Sequence, residues 1–325
     1  MTSIAVFFLG GTISMAGHSQ GVVNRLGGAE LVGAVPQLGE LGVTLDVRDF
    51  RKLPSAGLHF DDIVELVAAA SQADVDGADG VVVVQGTDTI EETSYLIDLL
   101  WTSDTPIVMT GAMRNPTLAG PDGPANLLAA VQVAASSEFR GDGGLVVLND
   151  QVHAARYVRK THSTSPATFA APNAGPLGQL VEGVPVRVAR LPGRFTMPRP
   201  PGPVMARVPV VTITLDDGGE LLAGLADRID GLVVAAFGVG HVPDTLAPVL
   251  GELAARMPVV LASRTGAGPV LRHTYGFTGS ETDLAQRGLI GAGLLDPYKA
   301  RVLLRLLLAG GADRDAVIDA FAAAG

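Results

Sequence analysis

The sequence predicts an α/β protein in which a parallel, helix-covered sheet forms a larger N-terminal domain and a second, smaller α/β domain follows it. Three observations predict this. Short β-branched runs alternate with stretches of helical period, as in a parallel sheet covered by helices on both faces. A proline-rich break interrupts the alternation, which then resumes. And a chain of 325 residues is longer than the ~250–300 residues that one hydrophobic core organises. Hydrophobic residues make up 47% and charged residues 17%, enough apolar surface to offset chain entropy and to exclude disorder as the main state.

Along residues 1–190 strands are expected at 4–9, 43–47, 81–84, 107–109 and 145–148, each a short apolar run. Residues 60–73 and 89–101 have amphipathic spacing and predict helices. Asp122-Gly123-Pro124-Ala125-Asn126, ahead of the apolar run 127–135, sets a capping Asp and an early Pro at a helix start. Residues 191–204 hold five prolines without periodicity. Proline donates no ladder hydrogen bond, so 191–206 is read as a linker. The alternation returns in 207–325, with strands at 208–215, 232–237 and 259–262 and helices at 244–256, 297–308 and 314–323.

Composition excludes several chemistries. Without cysteine there is no thiol nucleophile, disulfide framework or Cys-type metal site. A net charge of −10 with 5% aromatics argues against a phosphate-binding surface or a base-stacking platform, so no nucleic-acid partner is expected. The first basic residue is Arg25, the run 4–9 is short for the core of a signal peptide, and the other apolar runs fall far below the ~18 residues of a membrane span. A cytoplasmic location and no membrane partner are expected. The six histidines, at 18, 59, 153, 162, 241 and 273, form no HExxH motif or close pair, and no acidic cluster has EF-hand spacing. No Gly is followed by Lys, and Gly238-Val239-Gly240 and Gly266-Ala267-Gly268 lack the third glycine of a dinucleotide fingerprint. Neither metal nor cofactor is expected.

Three predicted strands end in glycine plus polar groups: Gly10-Gly11-Thr12, Gly86-Thr87-Asp88-Thr89 and Thr110-Gly111-Ala112-Met113-Arg114. In open α/β sheets ligands bind beyond the carboxyl ends of the strands, where glycine lets backbone N–H groups approach. Gly17-His18-Ser19-Gln20-Gly21 matches the nucleophile elbow of serine hydrolases by letter, but an elbow requires a strand running into it and a helix after it, and the flanks of Ser19 offer neither. Arg140-Gly141-Asp142 spells an adhesion tripeptide that a glycine-rich loop produces by chance. Lys160 is the most informative charge, because only three of the 23 basic residues are lysines. Arginine cannot give up its proton in a protein, whereas a desolvated lysine can and then acts as a base.

Several blocks together resemble the bacterial-type L-asparaginase family: Gly10-Gly11-Thr12-Ile13, Gly86-Thr87-Asp88-Thr89-Ile90-Glu91-Glu92-Thr93, Gly111-Ala112-Met113-Arg114, Asp122-Gly123-Pro124 with Asn126, and Val147-Leu148-Asn149-Asp150. Arg156-Tyr157-Val158 with Lys160-Thr161, Gly175-Pro176-Leu177-Gly178 and Lys299-Ala300-Arg301-Val302-Leu303-Leu304 extend the resemblance over nearly the whole chain. It implies an amidohydrolase for L-asparagine, with L-glutamine a second candidate substrate, acting through a covalent threonine acyl-enzyme. Thr12 is similar to the family nucleophile, next to Gly11, and Thr87, Asp88 and Lys160 are similar to its second constellation. A lysine made neutral by burial, linked through Thr87, would accept the nucleophile's proton and pass it to leaving ammonia.

By the same resemblance, Ser55 in Leu53-Pro54-Ser55 holds the substrate α-carboxylate, while Asp88 orients Lys160 and meets the α-ammonium. Glu281, 16 residues before Pro297, is similar to the glutamate that reaches the substrate from a neighbouring subunit. A homo-oligomer, dimer or tetramer, with shared sites is implied. The chain also departs from the family. Ala56-Gly57 follows the serine where Gln or Glu is frequent, the loop 14–28 has no tyrosine, and His241 stands where Asn is frequent. Two other readings remain open at this level: a serine esterase using Ser19, and a non-catalytic amino-acid-binding protein on the same scaffold.

Overall fold

The structure, a computed structural model, describes residues 1–11, 13 and 27–325, and the backbone alone of 15–16 and 23–24. It divides into two compact units, Met1–Met197 and Pro198–Gly325.

In the first unit, β1 (Ser3–Phe8) is followed by a small ladder of β2 (Met15–Ala16) with β3 (Val23–Asn24), then α1 (Gly28–Gly33), β4 (Thr44–Asp49) and α2 (Phe60–Val75). Next come β5 (Gly80–Val84), α3 (Ile90–Leu100), β6 (Ile107–Thr110), α4 (Gly123–Ala135) and β7 (Gly144–Leu148). The unit closes with β8 (Gln151–Ala154), β9 (Arg159–Lys160), β10 (Phe169–Ala170), β11 (Gly178–Val181) and β12 (Val184–Arg187). One eight-stranded sheet runs in the order β12-β11-β8-β7-β6-β5-β1-β4. From β4 to β7 the strands are parallel.

The parallel strands form where the sequence is continuously apolar, because helices cover both faces. Every residue of β5, β6 and β7 is buried. On one face Ile4, Val6, Val82, Val84, Val108 and Val147 pack with Leu127, Ala130, Val131 and Ala134 of α4. The other face carries α3, whose Ser94 and Asp98 lie against Gly144 at the start of β7. β4 sits at the edge and alternates between part-buried and exposed positions.

The antiparallel strands β8, β11 and β12 were not visible in the sequence. After β7 the chain reverses at Asn149 (φ 51°) and Asp150 (φ 58°), the two positive-φ positions of a tight hairpin turn. β8 is four residues long and starts at a polar glutamine, too short to show a period. Asp122 also corrects an expectation. It stands at the N-cap of α4, but its backbone is helical there (φ −93°, ψ −10°) and its side chain makes no cap bond. Its carboxylate instead accepts the backbone N–H groups of Met113 and Arg114.

The second unit holds β13 (Val210–Thr212), β14 (Leu232–Ala236), α5 (Leu246–Ala254), β15 (Val259–Ser263), α6 (Glu281–Gln286), β16 (Ile290–Gly291), α7 (Pro297–Ala309) and α8 (Arg314–Ala324). Its four strands form a parallel sheet in chain order. β13 is shorter than the expected 208–215; Pro209, lacking an N–H, precedes it at the sheet edge. The charges of the Lys299–Arg301 motif serve the fold: buried Lys299 pairs with Asp296 at 3.0 Å, and Arg301 Nε donates to the Val208 carbonyl at 2.8 Å. Among the described residues no helix is long and apolar enough to cross a membrane.

Two buried groups of the first unit, Asp98 and His153, are shifted well away from their ordinary values. Asp98 accepts the Gly144 N–H at 2.8 Å, and Arg194 Nε lies 3.5 Å away. Burial pushes the Asp98 carboxyl up to about 6, against the pull of Arg194. His153, on β8, is pushed down to about 4 by burial. Their linkages oppose one another. As pH falls from about 6.5 to about 4 the unfolded chain protonates residue 153 while the folded chain does not, which removes up to about 3 kcal/mol of stability. As pH falls from about 6 to about 4 the folded Asp98 takes up a proton that the unfolded carboxylate does not, which favours the fold. In urea unfolding at about pH 7 and about pH 4.5, His153→Leu is therefore expected to lose less stability on acidification than the wild type, and Asp98→Asn more.

Candidate active site

The parallel strands of the first unit order as β4-β1-β5-β6-β7. The chain leaves β1 toward one edge, then crosses back to β5 on the other side, which makes the carboxyl ends of β1 and β5 the switch point where α/β sheets open a crevice. The register keeps those ends level, with Phe8 opposite Val84 and Val84 opposite Thr110. At this point Gly11 has φ +103°, and a Cβ placed on it would lie 2.2 Å from the Gly86 nitrogen. Two strand-end backbones thus touch with no side chain between them. Gly86 in turn faces Ser55, whose Oγ would stand 2.7 Å from a Cβ there.

Ser55 reaches the crevice because the segment after β4 is tied to β1. Phe50 and Arg51 donate their N–H groups to the Phe8 carbonyl, and Leu53 donates to the Leu9 carbonyl at 2.9 Å. Arg51 then pairs with Asp62 at 2.7 Å and with Glu65, which holds the loop on the start of α2. Ser55 is buried, and its hydroxyl has no hydrogen-bond partner among the described residues.

After β5 the chain makes a single turn, Thr87–Thr89, that runs directly into α3. Lys160 meets it there. Its Nζ donates to Thr87 Oγ1 at 2.9 Å and to Asp88 Oδ1 at 2.8 Å. Its side chain is only 15% exposed while that of Asp88 is 70% exposed, so the lysine is set inside and the carboxylate keeps an open side. Among the described residues β9, which carries Lys160, pairs only with β10, in a ladder apart from the large sheet. The hairpin is closed by Thr168, whose carbonyl accepts from Thr161 N–H at 2.8 Å and whose hydroxyl accepts from His162 N–H at 2.8 Å. The neighbouring strand end is knotted by buried Asn126. Its Nδ2 donates to the Gly111 carbonyl at 3.0 Å, and its Oδ1 accepts the Asn149 N–H at 3.0 Å.

The first unit therefore brings Gly11, Ser55, Thr87, Asp88 and Lys160 together. Thr12 and Ser19 lie outside the described residues. Glu281 belongs to the second unit, at the start of α6, where its Oε1 accepts the N–H groups of Thr274 (2.9 Å) and Tyr275 (2.8 Å) and its Oε2 lies 3.2 Å from His241 Nε2. Burial pushes its carboxyl up, and the N–H groups of Tyr275 and Thr274, with His241, more than offset this, leaving it below its ordinary value. The His241 ring packs edge-on against Tyr275 and Phe277, with centroids 4.8 and 4.9 Å away. Among the described residues no group of three His, Asp or Glu is placed to hold a metal ion. Asp142 of the adhesion-like tripeptide is consumed by Arg187.

Sequence reasoning missed two residues around these groups. The sequence marks His241 as a departure without assigning it a role, and the structure makes it the partner of Glu281. Glu91 lies in the block Gly86–Thr93, whose pattern gives it no task, and it holds the backbone of Lys160. Its partner is 69 positions away, and no local pattern signals such a contact.

Comparison with known proteins extends over both units. Residues 3–192 match the family model described as Asparaginase, N-terminal, and residues 207–321 match that of the Glutaminase/Asparaginase C-terminal domain. The chain is 40% identical over 245 residues to a probable L-asparaginase of Deinococcus radiodurans, covering 74% of each chain. It is 36% identical to L-asparaginase 2 of Escherichia coli K12, covering 95% of this chain and 89% of that one. The crystal structure of a probable cytoplasmic L-asparaginase from Campylobacter jejuni superposes with a TM-score of 0.85 at 31% identity, covering 99% of both chains.

The two crevice glycines differ in what they tolerate. A methyl at Gly11 meets backbone and also sits at a φ that side chains avoid, so Gly11→Ala is expected to cost more than about 3 kcal/mol. At Gly86 the methyl meets the Ser55 hydroxyl, which can rotate, but also the Ser55 Cβ at 3.0 Å and the Gly11 backbone at 3.3 Å, so Gly86→Ala is expected to cost about 2–3 kcal/mol, less than Gly11→Ala because its φ is not in the left-handed region. Urea unfolding of both variants measures the difference.

Proposed function

The chain belongs to the asparaginase family, and from that premise we propose that it hydrolyses L-asparagine to L-aspartate and ammonia through a covalent threonine acyl-enzyme. The observation that carries the reading is the meeting of Lys160 with Thr87 and Asp88 at the switch-point crevice. Thr12 follows Gly11 directly in sequence and is the nucleophile in this proposal. Its Oγ bonds to the side-chain carbonyl carbon of asparagine, the carbon–nitrogen bond breaks, and the hydroxyl proton leaves with ammonia. Water then splits the ester, releasing aspartate and restoring the threonine.

Lys160 and Thr87 move the proton. The two hydrogen bonds that Nζ donates can be made by a neutral amine, which has two N–H groups and a lone pair, or by an ammonium, which has three N–H groups. The contact of Nζ with Thr87 Oγ1 is the one along which the proton passes: a neutral Nζ accepts from the Thr87 hydroxyl and an ammonium donates to it. The Ser55 hydroxyl, buried and without a partner among the described residues, supports a role in holding the α-carboxylate, and the exposed side of Asp88 supports contact with the α-ammonium. Gly11 lets the substrate approach the backbone.

The proposal includes a homo-oligomer, dimer or tetramer, in which Glu281 of one copy completes the site of another. Its Oε2, shared with His241, retains a lone pair for an ammonium. A cytoplasmic location is part of the same proposal, in keeping with the name of the relative from Campylobacter jejuni; cell fractionation tests it. Preference between asparagine and glutamine rests on one methylene, a difference of only about 1–3 kcal/mol in a pocket.

Ammonia release with asparagine is the first test, and its absence beside intact aspartate binding would favour a binding protein. Thr12→Ala is expected to abolish release while Ser19→Ala retains it; the reverse outcome would favour the serine esterase. Lys160→Arg keeps the charge but cannot surrender the proton, so it and Lys160→Met are expected to lose about 10²–10⁴-fold in turnover. Calorimetric binding of aspartate should survive in both. Near-normal release by Lys160→Arg would remove the proton-carrying role. Activity confined to the assembled fraction, measured beside light scattering, checks the shared site.

A further inference from the structure

We propose that Glu91 is the positioning residue that sets Lys160 against Thr87 and Asp88; the inference rests on the proton-carrying role proposed for Lys160 and deepens it. β9 is two residues long and lies outside the large sheet, so the sheet ladder does not fix the backbone from which the lysine reaches. A lysine stem is flexible, and where its Nζ falls depends on where its Cα is held. Glu91 supplies that hold. Its Oε2 accepts the backbone N–H of Lys160 at 3.1 Å, with Arg159 Nε 3.9 Å from the same oxygen.

The carboxylate is buried and stands in the first turn of α3, where the helix dipole favours an anion. The turn Thr87–Thr89 leads straight into that helix. One rigid element therefore grips residue 160 at both ends: Thr87 and Asp88 take its Nζ, and Glu91 takes its backbone nitrogen. Displacement of a catalytic group by about 1 Å is enough to cost about 10²-fold, and the grip of Glu91 prevents such a displacement.

The experiment compares the full-length wild type with Glu91→Ala, Glu91→Asp, Glu91→Gln and Lys160→Met. The readouts are kcat and KM for ammonia release from asparagine, calorimetric Kd for aspartate, and urea unfolding. Glu91→Ala is expected to lower kcat about 10–100-fold while KM and the aspartate Kd stay within about 3-fold. Glu91→Asp keeps the charge at the helix start but withdraws the oxygen by about 1.5 Å, so it should lose at least about 10-fold in kcat, and it decides the matter if the alanine variant does not fold. Glu91→Gln still offers an oxygen to the Lys160 N–H and should recover most of the loss. Near-normal kcat in Glu91→Ala or Glu91→Asp overturns the inference. So does a glutamine variant as impaired as alanine, or a fall in kcat matched by an equal fall in aspartate affinity. Silence of the wild type toward asparagine would instead sink the parent reading. Turnover that Lys160→Met abolishes but Glu91→Ala and Glu91→Asp leave intact would sink this inference alone.

Discussion

Gly11 and Gly86 meet backbone to backbone at the point where the parallel sheet changes its direction of winding, and the crevice depends on that contact. Any Cβ at Gly11 would push the end of β1 away from the end of β5. Ser55 would then lose its place against Gly86, and the turn Thr87–Thr89 would lose its place beside the residues that follow β1. The sheet supplies the rest of the alignment, since the hydrogen bonds from Leu9 N–H to the Val84 carbonyl and from Gln85 N–H to the Thr110 carbonyl keep three strand ends level.

Beyond the strand ends, buried and half-buried polar side chains replace the ladder as the means of holding the chain. Asn126 ties Gly111 to Asn149. Asp122 ties the residues after Gly111 to the start of α4, and Glu91 ties β9 to α3. Each of these groups satisfies backbone N–H or C=O groups that a loop would otherwise leave exposed or unpaired. Loops at a site can in this way be irregular in conformation and still be fixed in position, which a reaction needing sub-ångström placement requires.

The second unit repeats the theme with a different chemistry. Glu281 is a buried carboxylate that survives because two backbone N–H groups and His241 surround it, and the cost of burying its charge is offset by those bonds. The T-shaped contacts with Tyr275 and Phe277 orient the imidazole. His241 does the holding on one side of the carboxylate, and it brings a ring that those two side chains pack against.

By itself the sequence determined the fold class and most of the parallel strands. β1, β5, β6 and β7 are buried on both faces, and only an unbroken apolar run is stable there, so their composition announces them. It also singled out Lys160, through the scarcity of lysine, and the glycine-ended turns, through their residues. The antiparallel strands β8, β11 and β12 were not legible, since short strands with exposed positions need no distinctive pattern. The partners of those residues were decided by tertiary structure alone: Gly11 with Gly86, Glu91 with Lys160 and His241 with Glu281. These pairs are separated by 40 to 75 positions, and hydrogen bonds and close contacts over such distances exist only after the sheet and its helices have placed both ends.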